Sequence, residues 1–179
     1  MPVGLSHLFA PFDPTAHGTP ARGLAIITAR PEHAPAIAAV QIDREGGSAA
    51  AIIPLIASEL QMICQGTLPR YTALGLVDGA VVAYSRCGLF QREAPLPSGW
   101  YLCGVTVMRA WRRQGVGAAL TAHRLDWLRG RTDTAYYTTA MENDASVAMH
   151  ARFGFTELAC GIPTPGSGRP GRLLAVTLR

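Results

Sequence analysis

Hydrophobic residues recur along this chain at periods that change from two to about 3.6 and back, and the changes mark its elements. "GLAIITA" (23–29) is rich in β-formers and predicts a strand. "RPEHAPAIAAVQIDRE" (30–45) predicts a helix, with Pro31 and Glu32 suited to its first turn. "SAAAIIPLIASELQMICQG" (48–66) predicts a second helix, started or kinked by Pro54 and closed by Gly66. "YTALGLVDGAVVAYSRCGLF" (71–90) is two strands about Asp78-Gly79, a strong hairpin signal, and "QREAPLPSG" (91–99) is a loop. "WYLCGVTVM" (100–108) predicts a strand, and Gly104 within it marks a bulge, a close backbone approach or a packing glycine. "GVGAALTAHRLDWLRG" (115–130) predicts a helix with Val116, Leu120 and Trp127 on its apolar stripe. "DTAYYTTA" (133–140) predicts a strand, and "NDASVAMHARFG" (143–154) a helix that begins near Asn143 and stops at Gly154. Two last strands, "FTELACGI" and "RLLAVTLR", flank the Pro/Gly loop "PTPGSGRPG". The succession predicts an α/β protein, a mixed sheet with helices on its faces. Residues 1–23, with Pro, Gly and Thr but no periodicity, read as an N-terminal arm, and 24–179 as one domain.

Composition narrows the chemistry. Of 179 residues, 49% are apolar and 16% charged, which suits a folded domain with its own core. All 16 basic residues are arginine. Without a lysine there is neither a Walker-type phosphate loop nor a Schiff base. The net charge of +4 suits an anionic ligand. Apart from Arg112-Arg113 and Arg129/Arg131 the arginines are scattered, so nucleic acid is not an expected partner. Cys64, Cys87, Cys103 and Cys160 form no C-x-x-C pair and no zinc spacing; they read as buried thiols in a reducing cytosol, with no metal. The N-terminus does not read as a signal peptide, and the longest apolar run, "AAAIIPLIA", is too short to span a bilayer.

The stretch "VTVMRAWRRQGVGAAL" is the richest in implied chemistry. A strand ends near Val107, an arginine-rich turn follows, and Gly115-Val116-Gly117 opens a helix. Free N–H groups at a helix start attract an anion, glycines let phosphates approach, and Arg112 and Arg113 add forked donors. A dinucleotide fingerprint would need Gly or Ala three positions after Gly117, where Leu120 stands. A glycine-rich start to a packed helix is the plain alternative.

Arg112, Gly115 and Gly117 form R-x-x-G-x-G, which resembles the acetyl-CoA signature of the GNAT superfamily of N-acetyltransferases. "NDASVAMHARFGF" resembles that family's second signature, an Asn-led helix ending in Gly-Phe, and the gap between the two suits one strand. The resemblance runs from about residue 24 to 179. It implies a mixed, mostly antiparallel sheet of six to seven strands flanked by about four helices. It implies acetyl-CoA as co-substrate and a primary amine of a small molecule as acceptor, in direct attack within a ternary complex. A non-catalytic acyl-CoA-binding or regulatory module and a protein N-terminal acetyltransferase are the alternatives.

By the same resemblance, the backbone of Arg113, Gln114, Gly115, Val116 and Gly117 cradles the pyrophosphate. The edge of the Cys103–Val107 strand pairs with pantetheine, and the backbone N–H of Val107, or else Val105, meets the developing oxyanion. Asn143, Ser146, His150 and Gly154 lie on one helical face. Asn143 matches a pantetheine-binding position and equally reads as an N-cap; Ser146 touches the cofactor or its own helix. His150 stands where the family usually has the tyrosine that protonates the CoA thiolate, and reads either as that acid or as a satisfied helix histidine. His123 reads as a buried or edge histidine. Tyr101, Glu45 and Glu59 are weak candidates for the base. The apolar first two helices favour a small or partly apolar amine over a polycation. Pairing of two chains through exposed strands or the second helix is compatible with the composition.

Overall fold

The computed structural model describes residues 21–179, so most of the N-terminal arm lies outside the described residues. Hydrogen bonding orders seven strands as β1-β2-β3-β4-β5-β7-β6: β1 Ala25–Thr28, β2 Arg70–Val77, β3 Ala80–Phe90, β4 Gly99–Val107, β5 Thr134–Ala140, β6 Thr156–Pro163 and β7 Pro170–Thr177. Four α-helices accompany them: α1 Ala34–Glu45, α2 Ala49–Cys64, α3 Val116–Leu128 and α4 Asp144–Ala151. This is the mixed α/β sheet that the sequence predicts. The described residues divide into two compact units, one holding 21–88 and Gly104–Arg124, the other Leu89–Cys103 and Leu125–Arg179.

In the first unit, β1, β2 and most of β3 form an antiparallel meander. Asp78 and Gly79 turn the hairpin with φ of 49° and 79°, the double left-handed turn that matches strand twist. Its core is set by helical spacing. Ile37, Ala38 and Val40 of α1 and Ile56 and Leu60 of α2 close over Leu74 and Tyr84. Pro31 starts a 3-10 turn, Pro31–His33, ahead of α1, not the α-helix itself. Pro54 lies inside α2, which ends at Cys64 with Gly66 turning away at φ 72°.

Helix α3 carries the one departure from its apolar stripe. Val116, Leu120 and Leu128 are buried as an i, i+4 ladder, but the rung at Arg124 is a guanidinium only 1% exposed. It donates to the carbonyl of Arg86 at 2.8 Å and to Thr121 Oγ1 at 3.1 Å, which is what allows a charge to sit there. Trp127, read from the sequence as part of that stripe, is only half-buried and meets Trp100 edge-on at 5.4 Å. His123 also reaches the edge of the helix, with Nε2 2.7 Å from the Tyr71 hydroxyl.

In the second unit, β4 pairs parallel with β5 through Trp100, Tyr101 and Leu102, and β5, β7 and β6 are antiparallel. Tyr101, Leu173 and Ile162 anchor one apolar cluster there, with Phe90, Leu96 and Tyr136 packed on it. Gly171 on β7 is fixed by space. A Cβ added there would lie 2.4 Å from the Thr139 carbonyl oxygen and 2.1 Å from Thr164 Cγ2. Gly171→Ala is therefore expected to lower unfolding stability by about 1–3 kcal/mol, the usual cost of overpacking, measured by urea denaturation. An unchanged midpoint would mean that β7 moves aside freely.

Candidate active site

Strand β4 stops at Val107, and a 3-10 turn, Arg109–Trp111, leads into the loop before α3. The loop is held from within. Arg112 Nε donates to the Val107 carbonyl at 3.2 Å, Gln114 Nε2 donates to the Ala110 carbonyl at 2.9 Å, and the Gln114 carbonyl accepts from the Ala21 N–H at 2.9 Å. Arg113 has φ 64° and Gly115 φ 77°. Left-handed residues alternating with ordinary ones turn successive N–H groups inward, the backbone geometry of an anion nest. Arg113 is not a residue that adopts this conformation cheaply. Burial first, and then the Arg44 and Arg109 guanidiniums, push Arg112 down from the usual arginine range, with Asp43 pulling the other way. Its charge persists at any working pH.

Gly104 is neither a packing glycine nor a close approach of backbone: a Cβ built there meets no atom within 4 Å. Val105 and Val107 follow it at alternate positions of the same strand.

The second signature forms a tight unit of its own. Asn143 caps α4 by accepting from the Ser146 N–H at 3.4 Å, and its amide donates to Thr139 Oγ1 at 3.0 Å. Ser146 Oγ lies 2.6 Å from the Tyr137 hydroxyl. His150 is 1% exposed, stacked face to face on Tyr137 with centroids 3.8 Å apart and edge-on to Phe155 at 5.2 Å. Its Nδ1 lies 2.8 Å from the Ser146 carbonyl. A carbonyl only accepts, so Nδ1 carries a proton already committed to it. A proton for a leaving group would have to depart from Nε2, hence from the imidazolium form. Gly154, at φ 84°, breaks the helix and swings Phe155 inward against that ring. The Gly-Phe ending is therefore the device that closes the histidine's pocket.

Sequence reasoning passed over Tyr137. The signal was present, because Ala135, Tyr137 and Thr139 are the buried alternate residues of β5. What could not be read was that the phenol would reach a serine on the following helix.

The three carboxylate and phenol candidates are placed in less useful ways. Tyr101 is buried, donates its hydroxyl to the Pro97 carbonyl, and packs on Phe90 and Tyr136. Burial pushes its phenol up to about 12, partly opposed by Arg92 and supported by Tyr136. A phenol held there does not take a proton from an amine near neutrality. Glu59 is spent on Arg70 at 2.8 Å and Arg86 at 3.6 Å. Glu45 ends α1, with Gln41 Nε2 at 3.4 Å and Arg44 Nε at 3.9 Å.

These two arrangements, a glycine-led helix after a strand edge and an Asn-capped helix closed by Gly-Phe, define an acyl-CoA-type transferase fold. The chain belongs to the Acetyltransferase (GNAT) family, whose model matches residues 54–155. Aminoglycoside N(6')-acetyltransferase type 1 of Klebsiella aerogenes is 35% identical over 92 residues, 51% of this chain and 57% of that protein. The match thus spans little more than half of the relative's length. An N-acetyltransferase from Staphylococcus aureus Mu50 superposes with a TM-score of 0.70 at 15% identity, covering 87% of this chain and 99% of its own. A Salmonella typhimurium acetyltransferase solved with its cofactor acetyl-CoA gives 0.68 at 16%, covering 88% and 95%. At these identities the two structures establish the fold. Among the described residues, no helix is long and apolar enough to cross a membrane.

The Tyr101 shift has a testable consequence for stability. The phenol's pKa is raised from 10.0 to about 12 in the folded chain. Its contribution is therefore complete below pH 10 and is lost as pH rises toward about 12. Denaturation midpoints followed across that window should fall for the wild type and fall less for Tyr101→Phe. Parallel declines would mean that the phenol ionises normally.

Proposed function

We propose that the protein is an N-acetyltransferase that moves the acetyl group of acetyl-CoA to the primary amine of a small molecule. The observation that carries this reading is the pair of left-handed residues, Arg113 and Gly115, that bends the loop before α3 into an anion cradle directly after a strand edge. The pyrophosphate binds the backbone of Arg113 to Gly117. The pantetheine arm runs along β4, where Gly104 puts no side chain in the way, and Asn143 and Ser146 of α4 serve its amides.

The amine nitrogen attacks the thioester carbonyl carbon. Charge gathers on the carbonyl oxygen, and the backbone N–H of Val107, with Val105 as its neighbour in the same strand, supplies the donor. The nitrogen of the tetrahedral intermediate gives up its extra proton to solvent, the C–S bond breaks to leave the neutral amide, and the thiolate takes a proton from His150 Nε2. Tyr137 and Phe155 hold the ring for that transfer, and the Ser146 carbonyl, by accepting from Nδ1, leaves Nε2 as the nitrogen that can donate. Glu59 is neutralised by two arginines, and the amine loses its first proton to solvent before attack. Of the four cysteines, read from the sequence as buried thiols, Cys87 is buried, Cys103 is half-buried, and Cys64 and Cys160 are exposed; exposed thiols suit a reducing, cytoplasmic setting.

Two measurements test the reading. A ligand that binds only the native state raises the thermal midpoint. Acetyl-CoA and CoA should raise it and NAD should not, and Gly115→Ala should weaken acetyl-CoA binding about tenfold, given the cost of about 1–2 kcal/mol for a side chain in the left-handed region. No shift with CoA would reduce the loop to packing. For His150→Phe, loss of a general acid predicts a fall in kcat of about a hundredfold together with loss of the limb of the pH–rate profile that reports imidazolium. A lower melting point with an unaltered pH profile would leave His150 a packing residue.

A further inference from the structure

We propose that Arg44, supported by Arg109 and Arg112, receives a carboxylate carried by the acceptor, so that the amine substrate is an amino acid or a similarly anionic amine, not a polycation. The proposal rests on the acetyl-transfer reading above and adds the acceptor's chemical class to it.

Three guanidiniums converge on the end of β4. Arg44, in the last turn of α1, donates from Nη1 to Thr106 Oγ1 at 3.2 Å. Arg112 holds the Val107 carbonyl, and Arg109 follows two residues later in the chain. The nearby Asp43 is already used, its Oδ2 accepting the Arg109 N–H at 2.8 Å. Arg44 Nε is sealed from water and makes no hydrogen bond. Glu45 Oε1 at 3.9 Å is too distant to make one. Arg112 is pushed down first by burial and then by Arg44 and Arg109, against the pull of Asp43, so the two neighbouring guanidiniums act on it as like charges. A buried donor without an acceptor, inside a cluster with more cations than anions, calls for an incoming anion.

The position argues for the acceptor over the cofactor as the source of that anion. Thr106 is adjacent to Val107, the strand residue assigned to the thioester carbonyl. In an α-amino acid one carbon separates the amine from the carboxylate. In acetyl-CoA the whole pantetheine arm separates the thioester from its phosphates. The carboxylates beside the cluster are Asp43, which accepts the Arg109 N–H, and Glu45, 3.9 Å from Arg44 Nε, so two anions meet three guanidiniums and a polycation is not favoured.

The test is calorimetric titration of the CoA-saturated protein with a panel of L-amino acids and their amides, phenylalanine and phenylalaninamide first, with kanamycin as the polycation. At least one acid should bind about tenfold or more tighter than its amide, the scale of one charged hydrogen-bonded contact. That preference should collapse toward one in Arg44→Met and survive in part in Arg44→Lys. An amide or kanamycin binding as tightly as every acid, or a preference that persists in Arg44→Met, would overturn the assignment. So would a discrimination between CoA and 3'-dephospho-CoA that disappears in Arg44→Met, because Arg44 would then read the cofactor's phosphate. The wild-type acid-to-amide comparison stands by itself should the variants fold poorly. Absence of CoA binding in the first place is a separate result, and it removes the acetyl-transfer reading with everything built on it.

Discussion

The bond from Arg112 Nε to the carbonyl of Val107 governs the loop that the proposed function gives to the acetyl donor. It ties the last residue of a strand to the loop that follows and so fixes the angle at which the chain enters α3. The free N–H groups of a helix start are useful only if they point at one place. Here an internal clamp aims them, with Gln114 holding Ala110 as a second tie. The cost is visible in Arg113, which adopts a left-handed conformation that a glycine would accept without strain. Strain of this kind persists where the surrounding contacts over-determine the backbone, and the two ties are such contacts.

The second signature is built on a different principle. Its polar residues satisfy one another before any ligand is considered. Asn143 caps α4 and reaches back to Thr139, Ser146 meets Tyr137, and His150 gives its Nδ1 proton to the Ser146 carbonyl. Buried polar groups so arranged give a stiff platform, because moving one leaves another unpaired. The aromatic sandwich of Tyr137, His150 and Phe155 fixes the imidazole plane from both a face and an edge. For the proposed proton delivery to a departing sulfur such a hold is an advantage, since rotation of the ring would cost both the hydrogen bond and the stack.

Much of this was legible in the residues. The hairpin at Asp78-Gly79, the glycine start of α3, the Asn143 cap and the Gly154 stop all follow from local rules and occur where those rules put them. Local rules fail where the partner is distant in sequence. Arg124 stands at a core position of α3 because two acceptors await it, one of them 38 residues away, and no periodicity forecasts that. Glu59 looks like a free carboxylate in sequence and is a neutralised one in space. Tyr101 lies on the expected strand, and its hydroxyl donates to the Pro97 carbonyl, a partner that no pattern in the sequence announces. His150 was found by position, while the choice of nitrogen required the carbonyl it touches.

The all-arginine composition reaches beyond phosphate binding. An acetyl donor held close to a protein surface is a hazard to any exposed ε-amine nearby, which it can modify without help. Guanidinium groups stay protonated and are far poorer nucleophiles than amines. Within these 179 residues there is no lysine side chain for the acetyl group to reach. An acetyl donor bound as proposed would find no ε-amine among these residues to modify, and the exposed thiols of Cys64 and Cys160 would be the side-chain nucleophiles left to it.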